Sequence, residues 1–306
     1  MVNESAPAPI GTVAHYNLLE RLDSAGPGEL YRARDTRLGR TVTVRWMPSD
    51  FARHAQAKHR FMQEGQSLLA LSHPNITMLF DVGEHDGRCY IVCEFLKGQS
   101  LRAETAGRPM NVRRALELAI QIADAVAGAH AAGFLGGGFS PDSITVTAKG
   151  HAKIPVFDPA GRSGLDGDAP VARHTDYDSP EETGGQLPDE RSDIYSVGAI
   201  LYEMLTMRRP LHRGSAAPSA ANSHVPLVVD QIVLKAVAPN ADSRIQSAAA
   251  LAAELRRAAA TADVQGDAED AIENLERRTT GVGQVVMLTT VILLGLGLLA
   301  WWLVAS

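Results

Sequence analysis

Cys89 and Cys93 carry the only thiols of the chain, and thiols are the first groups to test for a disulfide, a zinc site or a nucleophile. They lie four residues apart in Cys89-Tyr90-Ile91-Val92-Cys93-Glu94-Phe95, a β-branched and aromatic run that predicts a strand. Along a strand that spacing is about 13 Å, well beyond disulfide reach. A zinc set fails as well, because no second Cys/His pair stands at ligand spacing. Both are read as buried thiols in a reducing compartment. Glycines offer a second kind of chemistry, backbone that can approach a ligand, but Gly26-Pro27-Gly28 by itself encodes only a hairpin turn. Charge is the third. A formal net charge of −6 leaves no broad basic surface, so nucleic acid is not expected as a partner.

The elements that must position these residues fall into two groups. A chain of 306 residues with 45% hydrophobic and 21% charged side chains supports one or two packed domains. Residues 1–14 are rich in Pro, Ala and small polar types and are expected to be disordered. From 15 to 98 the runs YNLLERL, ELYRARD, TVTVRWM, TMLFDVG and CYIVCEF predict strands. One helix, about 52–71, interrupts them with Phe61, Leu68 and Leu71 on one face. From 99 to 258 helices dominate: 112–132 with Leu118, Ile122 and Val126 at fourfold spacing, then 193–206, 227–238 and 247–260. No internal repeat is visible.

The far end has its own character. Residues 259–284 form an acidic, polar linker, and Val285–Val304 then runs for twenty residues without a charge. As a helix this spans about 30 Å, the thickness of a bilayer core. A buried core helix is the alternative, which that length disfavours. Trp301 and Trp302 suit a membrane interface. Arg277 and Arg278 precede the span and no Lys or Arg follows it, which orients the large N-terminal part to the cytoplasm. The N-terminus has neither the basic start nor the apolar run of a signal peptide. A single C-terminal membrane anchor is therefore expected.

Several motifs, in order, resemble the eukaryotic-like Ser/Thr protein kinases of bacteria over roughly residues 15–258. Arg60-Phe61-Met62-Gln63-Glu64 followed by Leu71-Ser72-His73-Pro74-Asn75-Ile76 is similar to the helix carrying the family's glutamate and the turn after it. Tyr90–Phe95 matches the strand leading to the hinge, and Ser179-Pro180-Glu181 the close of the activation segment. Arg191–Gly198 followed by Leu201–Thr206 is similar to the family's central C-lobe helix, and Arg244 supplies the arginine that pairs with the Pro-Glu glutamate. The resemblance implies an α+β, bilobal protein-kinase-like fold, with a sheet-rich N-lobe (15–98) and a helical C-lobe (99–258), plus one transmembrane helix.

Phosphoryl transfer in this family needs a glycine cradle, a lysine held by a glutamate, two metal ligands and a carboxylate base. Aligned on Tyr31, the first two cradle glycines become Asp23 and Ala25, and only Gly28 remains. Asp23 sets a negative charge beside the triphosphate position. The lysine becomes Arg45, which can bridge Glu64 but does not replace an ammonium freely. Aligned on Pro141 and Ile144, the catalytic loop reads Gly136, Gly137, Gly138, Phe139, Ser140, Pro141, Asp142, Ser143. The base is then Gly138, which cannot accept a proton, and the metal-binding asparagine is Ser143. Asp142, the nearest carboxylate, suits a turn beside Pro141. The metal-binding aspartate becomes Val156, with no oxygen ligand for a hard cation; a register using Asp158 needs two extra strand residues. His130 matches a helix position that is structural in the family.

The pattern fits a membrane-tethered cytoplasmic pseudokinase, a scaffold or allosteric regulator in signalling, with no catalytic residue and no metal. Its residual pocket positions are Gly28, Arg45, Glu64 and Asp158. No cofactor is expected, and ATP or ADP bound without metal is the one option. A protein partner, an active kinase or a membrane complex, is implied. The alternative is an atypical active Ser/Thr kinase or nucleotidyl transferase, with Arg45, Glu64 and Asp158 in rearranged roles.

Overall fold

The structure, a computed structural model, describes residues 9–22, 28–49, 55–136, 138, 140–155, 176–212 and 214–261. Its first half is an antiparallel sheet in the order β1-β2-β3-β4-β6-β5. The strands are β1 (Gly11–Val13), β2 (Tyr16–Leu22), β3 (Glu29–Asp35), β4 (Thr41–Trp46), β5 (Leu79–His85) and β6 (Arg88–Glu94). The period-two pattern of β4 explains its place. Val42, Val44 and Trp46 are buried while Thr41, Thr43 and Arg45 on the other face are half-buried. The buried face joins Val13, Tyr16, Leu18, Ala33, Tyr90 and Val92 in one apolar cluster. Val13 belongs to β1, whose residues the sequence assigned to a disordered N-terminus. The backbone pairing of Gly11 with Leu18 and Val13 with Tyr16 orders them, and burying Val13 completely favours that pairing.

Helix α1 (Ala55–Leu68) buries Ala57, Phe61, Gly65 and Leu68 along one stripe. A Cβ on Gly65 would lie 2.8 Å from Val82 Cγ2, so the glycine sets how closely α1 approaches β5.

The second half is helical, bordered by a small sheet of β7 (Gly98–Ser100), β8 (Thr145–Thr147) and β9 (Ala152–Lys153). Ser100 caps α2 (Leu101–Thr105) and Asn111 caps α3 (Val112–Ala131). Leu118, Ile122 and Val126 of α3 are fully buried, as their spacing predicts. After the short α4 (Pro180–Thr183) comes α5 (Glu190–Thr206). It begins three residues before its expected start, because the Asp189 side chain caps it in a reciprocal box with Ser192. Every residue of α5 from Ser192 to Thr206 is buried, which makes this helix the axis of the lobe. Gly198 admits α6 (Leu227–Ala236) at close range: a Cβ there would lie 2.7 Å from that of Ala236. Helix α7 occupies 248–261.

The two halves share a polar joint. Thr77 donates from both backbone N and Oγ1 to the Ile154 carbonyl at 2.9 Å, and Ile154 N returns a bond to the Asn75 carbonyl at 2.9 Å. Asn75 Nδ2 donates to Gln121 Oε1 at 2.9 Å and to the Ala152 carbonyl at 2.8 Å. Lys153 Nζ meets Glu94 Oε2 at 2.6 Å. The described residues up to Ala258 form one compact unit. Among the described residues no helix is long and apolar enough to cross a membrane; the expected span 285–304 lies outside them.

Candidate functional site

The loop that joins α3 to β8 is fixed by a carboxylate of α5. Asp193, 2% exposed, accepts from Gly136 N at 2.6 Å through Oδ2, and His130 Nε2 lies 2.8 Å from the same oxygen. A carboxylate only accepts, so His130 presents an N–H there. Its Nδ1 faces Glu190 at 3.7 Å. His130 thus orients backbone, the structural part the sequence assigned to it.

Gly138 is exposed and has φ +67°, and among the described residues nothing lies within 4 Å of the place where a Cβ would stand. Five residues on, Ser143 turns back on its own loop. Its Oγ accepts from Ser140 N at 3.0 Å and donates to the Ser140 carbonyl at 3.0 Å. The hydroxyl proton is engaged in closing a turn. Asp142 is not a free base either: both its oxygens receive Arg102 Nε at 3.0 Å.

Arg102 is the centre of a group that sequence reasoning missed. From α2 it donates through Nη1 to Glu203 of α5 and through Nη2 to the Tyr177 hydroxyl at 2.6 Å. That hydroxyl in turn donates to Glu203 Oε2 at 2.5 Å. Arg209 pairs with Asp176 and stands 5.6 Å from the Tyr177 ring centroid. Burial raises the Tyr177 pKa, and the hydrogen bond to Glu203 raises it further. These partners are 40, 75 and 101 residues from Arg102, so no local spacing announces them.

Glu181 and Arg244 meet as the sequence predicts, at 2.6 and 2.7 Å in a two-pronged pair. Arg244 has a fully buried side chain, satisfied further by the carbonyls of Ala238, Arg191 and Pro239. Burial acts to raise the Glu181 pKa, but hydrogen bonds from Arg244, the backbone and Ser192, with the Arg244 charge, bring it down to about 2.

On the sheet side, Gly28 has φ +79° and a Cβ there would sit 1.8 Å from the Trp46 carbonyl oxygen. Close approach to β4 requires glycine at this position. Arg45 lies on β4 opposite Leu30 and Ile91, and Glu64 lies on α1; both are half-buried. Asp23, Ala25, Val156 and Asp158 lie outside the described residues. Cys89 and Cys93 are buried and form no disulfide with one another. Among the described residues no three His, Cys, Asp or Glu side chains converge as a metal set. With Gly138 bare and the Ser143 hydroxyl turned inward, this loop does not fit a magnesium–nucleotide held in the manner its resemblance implies.

A family model described as a protein kinase domain matches residues 16–258. A probable serine/threonine-protein kinase of Streptomyces coelicolor, SCO3848, is 36% identical over 256 residues, covering 76% of this chain and 38% of that protein. PrkC of Bacillus subtilis is 32% identical, covering 79% and 40%. PknB of Mycobacterium tuberculosis is 34% identical, covering 79% and 42%. The chain thus spans about two fifths of the length of these curated relatives. Among solved structures, the Mycobacterium tuberculosis PknI kinase domain superposes with a TM-score of 0.67 at 21% identity, covering 81% of this chain and 98% of that one. The PpkA-294 apo form gives 0.69 at 19%, covering 81% and 98%. At such identities these two establish the bilobal fold alone.

Proposed function

The chain belongs to the protein kinase domain family, among the bacterial serine/threonine kinases, and from that membership we propose that it is a membrane-tethered pseudokinase: a kinase-like surface that binds a protein partner and transfers no phosphate. One observation carries the reading. The position that aligns with the catalytic aspartate is Gly138, exposed and with no side chain to accept a proton. Loss of a base alone costs about 10²–10⁴-fold in rate. Ser143 in place of a metal-binding asparagine and Val156 in place of a metal-binding aspartate add to that loss. The C-lobe framework, by contrast, keeps the Glu181–Arg244 pair and a fully packed α5.

The partner fits an active kinase or a membrane complex, because tethering through 285–304 raises the effective concentration beside membrane proteins. ATP or ADP, if held, would be held without metal at the positions around Gly28, Arg45 and Glu64.

The test is phosphate transfer by the full chain, with Mg²⁺ and with Mn²⁺, to itself and to a general protein substrate. No incorporation above a heat-treated control is expected. Metal-dependent incorporation that Asp158→Asn abolishes would overturn the proposal and establish the rearranged-transferase reading.

A further inference from the structure

Residues 176–179 carry an unusual density of fastenings for the end of a long connecting segment. Tyr177, Asp178 and Ser179 are 2%, 5% and 0% exposed. Ser196 Oγ of α5 donates to the Tyr177 carbonyl at 2.8 Å, and Arg209 pairs with Asp176. Above these stands Arg102, whose guanidinium spends donors on Asp142, Glu203 and Tyr177 at once. One side chain of α2 thereby ties the loop before β8, the segment end and the central helix together. Its own backbone N is fixed to the Pro141 carbonyl at 3.0 Å, so the side chain starts from a set position.

Kinase activation segments are commonly ordered by phosphorylation, which supplies a charge for arginines to pair with. Here the loop position next to the missing base, where the family motif carries an arginine, is Gly137. The charge that docks the segment end is internal: the carboxylates of Glu203 and Asp142, read by Arg102. We propose that Arg102 is a constitutive fastener, a positioning residue that keeps residues 176–183 docked on α5 and Asp142 neutralised without input from phosphate, nucleotide or metal. The C-lobe face ending in α5 is then a preformed platform rather than a switched one. This goes beyond the absence of transfer and does not depend on it, because docking and phosphate incorporation are separate readouts.

Hydrogen exchange on the full chain in mild detergent tests it. In the unmodified protein, protection of 177–183 and 143–144 should be the same before and after phosphatase treatment, and with or without ATP and Mg²⁺. Arg102→Ala should speed exchange there by ~10-fold or more, the scale of a lost charge-assisted hydrogen-bond set. Strands 79–94 should stay unchanged. Methylguanidine, which refills the vacated site, should restore the protection, and an equal concentration of NaCl should not. Arg113→Ala, 69% exposed on α3, is the neutral control. If Arg102→Ala does not fold by circular dichroism, Tyr177→Phe removes the hydroxyl alone and should speed exchange in 177–183 by about 2–10-fold. Protection that changes with phosphatase or with nucleotide overturns the proposal. So does an Arg102 variant that folds and exchanges like the parent, or one that methylguanidine fails to restore.

Discussion

Gly138 stands where the family's catalytic aspartate aligns, and placing a carboxylate there tests the proposed reading. A left-handed φ is tolerated by Asp better than by most side chains, so Gly138→Asp should fold. Alone it should give no detectable phosphate incorporation, because Ser143 and Val156 still offer no metal site; a radiolabel assay reads this directly. Gly28 makes the opposite case, a glycine retained for packing. Gly28→Ala places a methyl 1.8 Å from the Trp46 carbonyl, and denaturant unfolding should show a loss of about 1–3 kcal/mol, the range for overpacking. Tyr195 supplies a third residue-scale test. It is fully buried on α5, and among the described residues its hydroxyl has no hydrogen-bond partner. Burying an unpaired hydroxyl is costly, so Tyr195→Phe should leave the melting temperature unchanged or raise it. The ring face toward Arg244, 5.0 Å away, is kept.

At the scale of elements, α4 and the turn before α7 are joined by the Glu181–Arg244 pair, and its pH dependence has a fixed sign. The folded-state pKa of Glu181 is lowered from 4.5 to about 2. Its stabilisation is therefore complete above the unfolded value and is lost as pH falls from about 4.5 toward 2. Glu181→Gln should flatten that limb of the stability curve while lowering stability at neutral pH, since Arg244 then lies buried and uncompensated; melting temperatures from pH 7 to pH 2.5 would show both. This pair was legible because Ser-Pro-Glu and Ser-Arg each sit in recognisable local runs. The strands were legible for the same reason, their β-branched alternation being local. Strand β1 was not, because Gly11-Thr12-Val13 is ordered only by its pairing with β2. Nor was the Arg102 group, whose partners come from three separate parts of the chain. Local chemistry marks an element's type; the fastenings between elements are made by residues that no spacing links.

For the whole molecule, the question is which contacts keep the two lobes in one arrangement. The described joint between them is a set of hydrogen bonds among residues 75–77, 94, 121 and 152–154. Asn75 is its hub, taking the Ile154 amide on its carbonyl and spending its side-chain amide on Gln121 and the Ala152 carbonyl. It is 9% exposed, so water cannot readily replace those bonds. Asn75→Leu keeps much of the volume but strands the Ala152 carbonyl and leaves the Gln121 oxygen with Ala152 N alone. Loss of a buried hydrogen-bonded group costs about 1–3 kcal/mol. The more telling result is cooperativity. With the joint intact, unfolding followed at Trp46, in the sheet lobe, should coincide with unfolding followed by far-ultraviolet circular dichroism, dominated by the helical lobe. In Asn75→Leu the two curves should separate, the Trp46 signal changing at lower denaturant. Coincident curves in the variant would place the coupling in the ties that remain, the Thr77–Ile154 and Ile154–Asn75 backbone bonds and the Lys153–Glu94 ion pair.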